Sequence, residues 1–310
     1  MRVKAALPRF LCLVSRGAAA LALLAGCAGM WLSPLERDHP LVGSIWDARR
    51  QTTVARDEVL QRATASRFVI LGETHDNPDH HRLQAEILAA MVRGGRAPAL
   101  AMEQFDREHQ PALDAARRRG ERDAERIADA GAFDRKGWNW AAYRPLVDLA
   151  AANRLPLVAA NFSRAEARAL MRQGRPGEGL ASADPQLRAA IERDIVEGHC
   201  GMHLPPAMVS GMVEAQRARD AAMAASMESE KQTDAVLIAG AGHARLDRGA
   251  PYYLSAAARE GLLVIAFMEV ETGAADPRAY VSDGSYDLVW FTPRAAREDP
   301  CASLRRPKAL

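Results

Sequence analysis

Six short apolar runs punctuate the chain, at 68–71, 99–102, 157–160, 235–239, 262–268 and 287–291. The first four lack polar alternation, the pattern of strands covered on both faces. Helical stretches lie between them. Asn77-Pro78 opens one, with Asn as N-cap and Pro at the first helical position. Its apolar residues Leu83, Ile87 and Met91 recur every four positions, and Gly94-Gly95 ends it. Two longer segments, 106–153 and 163–232, read as mostly helical excursions forming a helical subdomain over the sheet. Alternating strands and helices predict an α/β fold with a largely parallel central sheet flanked by helices.

The first residues read as an address, not as part of that fold. Arg2, Lys4 and Arg9 make a positive leader, and 17–25 is an apolar run rich in Ala and Leu. A bilayer span needs about 20 residues, so this shorter run suits a secretory signal. Leu24-Ala25-Gly26-Cys27 looks like a bacterial lipobox. The expectation is a signal peptide over 1–26, a Cys27 thiol carrying acyl chains, and a tether over 27–50. A single domain then covers 51–310. Ala28 after the cysteine points to the outer membrane, with the protein facing the periplasm on its lipid anchor.

Composition narrows the function classes. Of 310 residues, 48% are hydrophobic and 26% charged, which fits a folded globular protein and excludes whole-chain disorder. The formal charge of +2 is set by the leader, where four bases stand without an acid. The remainder is near −2 and only 5% of residues are aromatic, which argues against a nucleic-acid partner. Beyond Cys12 and Cys27, only Cys200 and Cys301 remain, one potential disulfide in an oxidising compartment.

Chemistry gathers where the predicted strands end. Gly72-Glu73-Thr74-His75 and Gly240-Ala241-Gly242-His243 are both Gly-x-x-His after a buried strand. Glu103 and Asn161 follow two further strands. A parallel sheet binds ligands beyond its carboxyl ends, so Glu73, His75, Glu103, Asn161 and His243 are expected on one rim. Two imidazoles and two carboxylates suit either acid–base work or a divalent metal held by His75, His243, Glu73 and Glu103. The glycines are expected to let the backbone turn sharply. His81, in the first turn of the helix after the first motif, is expected to be exposed. A second constellation, His199-Cys200-Gly201-Met202-His203, precedes a segment carrying Met208, Met212, Met223 and Met227. Imidazoles beside adaptable thioethers suit haem, with Arg217 and Arg219 as cations for its propionates.

These segments together resemble the ChaN-like haem-binding uptake family. The resemblance rests on Leu71-Gly-Glu-Thr-His-Asp-Asn-Pro-Asp-His-His-Arg-Leu-Gln, Met102-Glu103, Ala159-Ala160-Asn161, Gly198-His-Cys-Gly, Ala215-Gln-Arg-Ala-Arg-Asp and Gly240-Ala-Gly-His-Ala-Arg. It spans roughly residues 43–270 in order. That family belongs with Tiki-type metalloproteases and erythromycin-esterase-like hydrolases, which share the paired Gly-x-x-His and Glu residues. The resemblance implies haem or iron uptake, a homodimer formed around haem, and ligation involving a tyrosine. Tyr143, Tyr252, Tyr253, Tyr280 and Tyr286 all stay open for that role. Two readings follow. One is an outer-membrane lipoprotein binding haem through a helical face with His199 and His203. The other is a metal-dependent hydrolase working through the strand-end rim.

Overall fold

The computed structural model describes residues 31–177, 179–229, 234–281, 284–299 and 301–302. The leader and Cys27 lie outside the described residues. In chain order the elements begin with β1 (Ile45–Asp47), β2 (Thr52–Thr53), α1 (Arg56–Ala65), β3 (Phe68–Glu73), α2 (Pro78–Arg93) and β4 (Ala99–Asp106). There follow α3 (Gln110–Arg118), α4 (Ala124–Ala130), α5 (Trp140–Ala152), β5 (Leu157–Asn161), α6 (Arg164–Gln173), α7 (Pro185–Gly198) and α8 (Pro206–Met227). The last are β6 (Ala235–Gly240), α9 (Ala250–Tyr253), α10 (Ala256–Glu260), β7 (Leu262–Glu269) and β8 (Leu288–Thr292).

The strands form one sheet in the order β2-β1-β8-β7-β3-β6-β4-β5. All pairings from β8 through β5 are parallel, whereas β1 runs antiparallel to both β8 and β2. The six apolar runs are the six parallel strands. Several strands continue past the apolar run, so Glu73, Glu103 and Asn161 are strand residues themselves. β3 sits in the middle, between β6 and β7, with all six residues buried. Each large side chain buried there stabilises the fold by about 1.5–3 kcal/mol.

Alternation within the strands sends neighbouring residues to opposite faces. Val69, Leu71, Met102 and Phe105 pack with α1 to α5 in one core. Phe68, Ile70, Ala101 and Leu237 pack with the end of α8 and with α9 and α10 in the other. The two helical excursions therefore cover opposite faces of the sheet and do not make one helical subdomain. Periodicity marks a buried helix face but carries no information about which side of the sheet it lands on. Leu187, Ile191 and Val213, from α7 and α8, form a small cluster of their own.

The segment expected to be a tether is, from Trp31 onward, part of the fold. Ser33 Oγ donates to Asn77 Oδ1 at 3.0 Å, and Asp79 accepts the backbone N–H of Leu32 and Ser33. Leu41 and Ile45 are buried, and Ile45 pairs with Trp290. Folded structure thus starts well before residue 51. At the other end, Cys200 and Cys301 form the disulfide, with Cα atoms 5.7 Å apart. It ties the loop after α7 to the C-terminal segment. No described helix is long and apolar enough to cross a membrane.

Candidate functional site

The carboxyl ends of β3, β4 and β6 carry the rim. Asn77 sets its first wall. Its Oδ1 accepts the N–H of Asp79 at 2.9 Å as the N-cap of α2, while its Nδ2 donates to Glu269 at the end of β7. α2 thus starts against the sheet end, and its first turn faces inward. This turn buries His80 and His81, so His81 is not the exposed residue its position suggested. Packing beneath Tyr143 overrides the usual exposure of a first helical turn; the two rings meet edge to face at 4.5 Å.

Glu73 is the hub. Its Oε1 accepts Tyr143 Oη at 2.5 Å, His75 Nδ1 at 2.9 Å and Gln104 Nε2 at 3.3 Å. Its Oε2 accepts Gln84 Nε2 at 2.6 Å and lies 3.1 Å from His81 Nδ1. Burial opposes the charge on Glu73, but the two imidazoles hold its pKa well below the usual carboxylate range. His81 donates its other nitrogen to the His75 carbonyl at 3.0 Å. Both nitrogens of His81 face oxygen, so the doubly protonated ring is favoured. Its pKa is raised despite burial, chiefly by Glu73.

Glu103 joins the two Gly-x-x-His motifs. Its Oε2 accepts the Gly240 N–H at 2.8 Å and lies 4.0 Å from His75 Nε2. Its Oε1 lies 3.5 Å from His243 Nε2. Asn161 serves from behind, donating to the Glu103 carbonyl at 2.9 Å. His243 Nδ1 is 2.6 Å from Asp220 Oδ1 on α8 and 3.1 Å from Gln216 Nε2. The structure therefore brings Glu73, His75, Glu103, Asn161 and His243 together, in two carboxylate–imidazole pairs bridged by Glu103. The His75 side chain, 43% exposed, is the one that meets solvent. Burial disfavours its charge, yet the bond to Glu73 and the carboxylates of Glu103 and Asp76 outweigh this and raise its pKa to about 9.

The two glycines have a different role from the one expected. Neither has a positive φ. A Cβ on Gly240 would come 3.0 Å from His75 Cε1 and Nε2, and one on Gly72 would come 2.7 Å from Ala244 Cβ. Close approach of ring and chain, not turning, is what requires them.

Among the described residues no group of three or more His, Cys, Asp or Glu side chains is placed to hold a metal ion. The oxygens of Glu73 are taken by protein donors, and the Nδ1 atoms of His75 and His243 by carboxylates. The alternative metal set of His75, His243, Glu73 and Glu103 loses Glu73 to this internal pairing, while His75 Nε2 and His243 Nε2 stand 4.0 and 3.5 Å from Glu103. The hydrolase reading is not favoured.

The residues expected to bind haem do not form one face. His199 lines a cleft of about 450 Å³ with Ile191, Ile195, Gln216, Asp220, Arg245, Arg248 and Tyr286. His203 lies outside that lining and is exposed. Met223 and Met227 are core residues under the sheet, while Met208 is 46% exposed. Arg217 is buried on Glu214 at 2.7 Å and on the Ala181 carbonyl, so it is spent internally. Asp220 is the residue missed from the sequence, whereas His81, expected exposed, and Tyr143, open as a haem ligand, turn out to bind Glu73. For Asp220 a signal existed: Glu214, Arg217 and Asp220 recur every three positions on a helix otherwise rich in Ala and Met, and all three are buried.

A family model described as haem-binding uptake, Tiki superfamily, ChaN, matches residues 59–254. The chain belongs to this family. The match takes in both Gly-x-x-His motifs, Glu103 and Asp220. A solved structure described as cofacial haem binding to ChaN of Campylobacter jejuni is similar to this chain, with a TM-score of 0.67 and 21% identity. It covers 79% of this chain and 95% of that one, and it shows the shared fold. An erythromycin esterase, EreC, in its open conformation overlaps more loosely, with a TM-score of 0.45 and 11% identity over 84% of this chain and 98% of that one. No curated protein matches the chain in sequence.

Proposed function

We propose that this protein binds haem for uptake or handling, as an outer-membrane lipoprotein anchored through acylated Cys27. Membership of the haem-binding uptake family over residues 59–254 carries the reading. The donor set fits such a cargo. Tyr143, Tyr280 and Tyr286 spend their hydroxyls on Glu73, the Ala274 carbonyl and the Ala241 carbonyl. Tyr253 is half-buried, whereas Tyr252 is 39% exposed on α9, just after the His243 motif. Tyr252 is the proposed axial ligand. Arg245 and Arg248, four to seven residues earlier, line the cleft with His199 and pair with Asp247 and Asp194, so a propionate would take their guanidinium groups from those carboxylates. A second copy of the chain would cover the other face of an exposed macrocycle, giving a homodimer.

Titrating the purified protein with haemin should give a saturable Soret shift at micromolar concentration. Tyr252→Phe should weaken binding about tenfold or more, the cost of one lost strong contact, and shift the Soret maximum. His199→Ala should do less, and His203→Ala nothing. An unchanged spectrum in Tyr252→Phe removes that ligand. Absence of saturable binding in the wild type removes the function.

Anchoring has its own test. A metabolic acyl label should enter the wild type and not Cys27→Ser, and only the wild type should pellet with membranes. Acyl chains bury about 0.8 kcal/mol per methylene, so more than one chain holds firmly. An unlabelled wild type would remove the anchor while leaving haem binding untouched.

A further inference from the structure

A second cleft, of about 420 Å³, opens at the far end of the sheet, where β5 begins at Leu157 and not where it ends at Asn161. Its floor is apolar, made of Leu113, Ile127, Val147, Leu155 and Leu157. Its rim is cationic, with Arg117, Arg118, Arg122 and Arg154.

Elsewhere the arginines mostly meet carboxylates, as Arg62 meets Asp47 and Arg188 meets Glu214. Among the described residues none of the four rim arginines has a carboxylate within 4.0 Å. Glu121 stands in the same rim, but it accepts the backbone N–H of Arg122 at 2.9 Å and of Asp123 at 3.0 Å. Its nearest guanidinium is that of Arg126, 3.8 Å away. Arg122 is partly used, donating to the carbonyls of Ala151 and Ala152 at the end of α5. Arg117 and Arg118 sit in the last turn of α3, where a cation complements the carbonyl end of the helix. That accounts for charge at this turn. It does not account for Arg154, which follows α5 on the other side of the cleft, with a positive φ of 59°.

We propose that this cleft binds a carboxylate with an apolar tail, of the medium-chain fatty-acid class. Guanidinium groups pair with a carboxylate in two parallel hydrogen bonds, and the apolar floor takes the chain. The size fits one small molecule and not a two-chain lipid. The site is separate from the haem reading and stands without it.

The test is calorimetric titration of the full protein with decanoate below its micelle-forming concentration. Decanol, acetate and phosphatidylglycerol vesicles serve as comparison probes. Decanoate should bind saturably at one site, with decanol and acetate about tenfold or more weaker, since each lacks one half of the recognition. Combining Arg117→Glu with Arg154→Glu should weaken decanoate about tenfold or more while leaving the thermal midpoint and the haemin titration unchanged. Ile127→Trp, which fills the floor, should block decanoate as well. Absent or unsaturable decanoate binding, equal binding of decanol, or indifference to both variants would overturn the proposal. Vesicles that bind in preference to decanoate would also overturn it, making the cleft a lipid-headgroup surface.

Discussion

Replacing Glu73 with alanine is expected to lower the unfolding free energy by about 3–5 kcal/mol, the usual cost of removing one partner from a buried ionic network. Glu73 is fully enclosed by Tyr143, Gln84, Gln104, His75 and His81. Its removal leaves the buried His81 ring without its counter-charge and takes an acceptor from the Gln84 and Gln104 amides and the Tyr143 phenol. Glu73→Gln keeps the shape and loses the charge, so its cost should be intermediate. The pH dependence gives a sharper test. His75 and His81 have raised pKa values, so their contribution is complete below about 6.5 and is lost as pH rises, for His75 through about 9. Urea unfolding of the wild type should therefore weaken between pH 6.5 and 9. Glu73→Ala should lose the part of that slope due to Glu73 while keeping the part from His243, whose pKa is raised against burial by Glu103 and Asp220. A loss below about 1 kcal/mol at pH 6.5 would mean that the network is worth no more than a surface pair.

The parallel strands were legible because a strand covered on both faces has to be apolar throughout, and few other local structures look alike. The paired Gly-x-x-His motifs were legible for the same reason. They end neighbouring strands, β3 and β6, and this neighbourhood makes His75 and His243 share Glu103. Other features left weaker traces. β1 and β2 are three and two residues long and hold by pairing at the sheet edge, so no periodicity announces them. His81 faces the interior because Asn77 ties the start of α2 to β7, a contact 192 residues apart in sequence. The Met-rich stretch was misleading in the opposite way. Thioethers at helical spacing describe an apolar face equally well whether it meets a cofactor or the underside of a sheet, and Met223 and Met227 meet the sheet.

The two imidazoles after Asn77 differ by one residue and titrate in opposite senses, and His80 gives the second large prediction. The Thr74 N–H donates to His80 Nδ1 at 2.8 Å, which leaves that nitrogen without a proton. Nε2 therefore carries the hydrogen and donates to Thr292 Oγ1, also at 2.8 Å. The ring is completely buried and packs on Phe267 at 5.6 Å. Burial pushes its pKa down to about 3, with the nearby charge of His81 adding to the effect and Glu73 opposing it. The folded value lies below the unfolded one, so the unfolded chain binds the extra proton first. Stability from this group is complete above about 6.5 and is lost as pH falls toward 3, at up to about 1.4 kcal/mol per pH unit. His80→Gln has no proton to gain there. At pH 7 it should be less stable by about 1–3 kcal/mol, because a buried donor or acceptor is left poorly matched. Between pH 7 and pH 4 it should lose less than the wild type, so the two urea-unfolding curves draw together. Glu73 also loses its contribution in acid, but it does so in both proteins and cancels in the difference. In the native protein the His80 ring should keep the chemical shifts of a neutral imidazole at pH 4.5. Parallel stability curves for the two proteins, or a native His80 that protonates near pH 6, would show that the buried ring is not what makes this fold sensitive to acid.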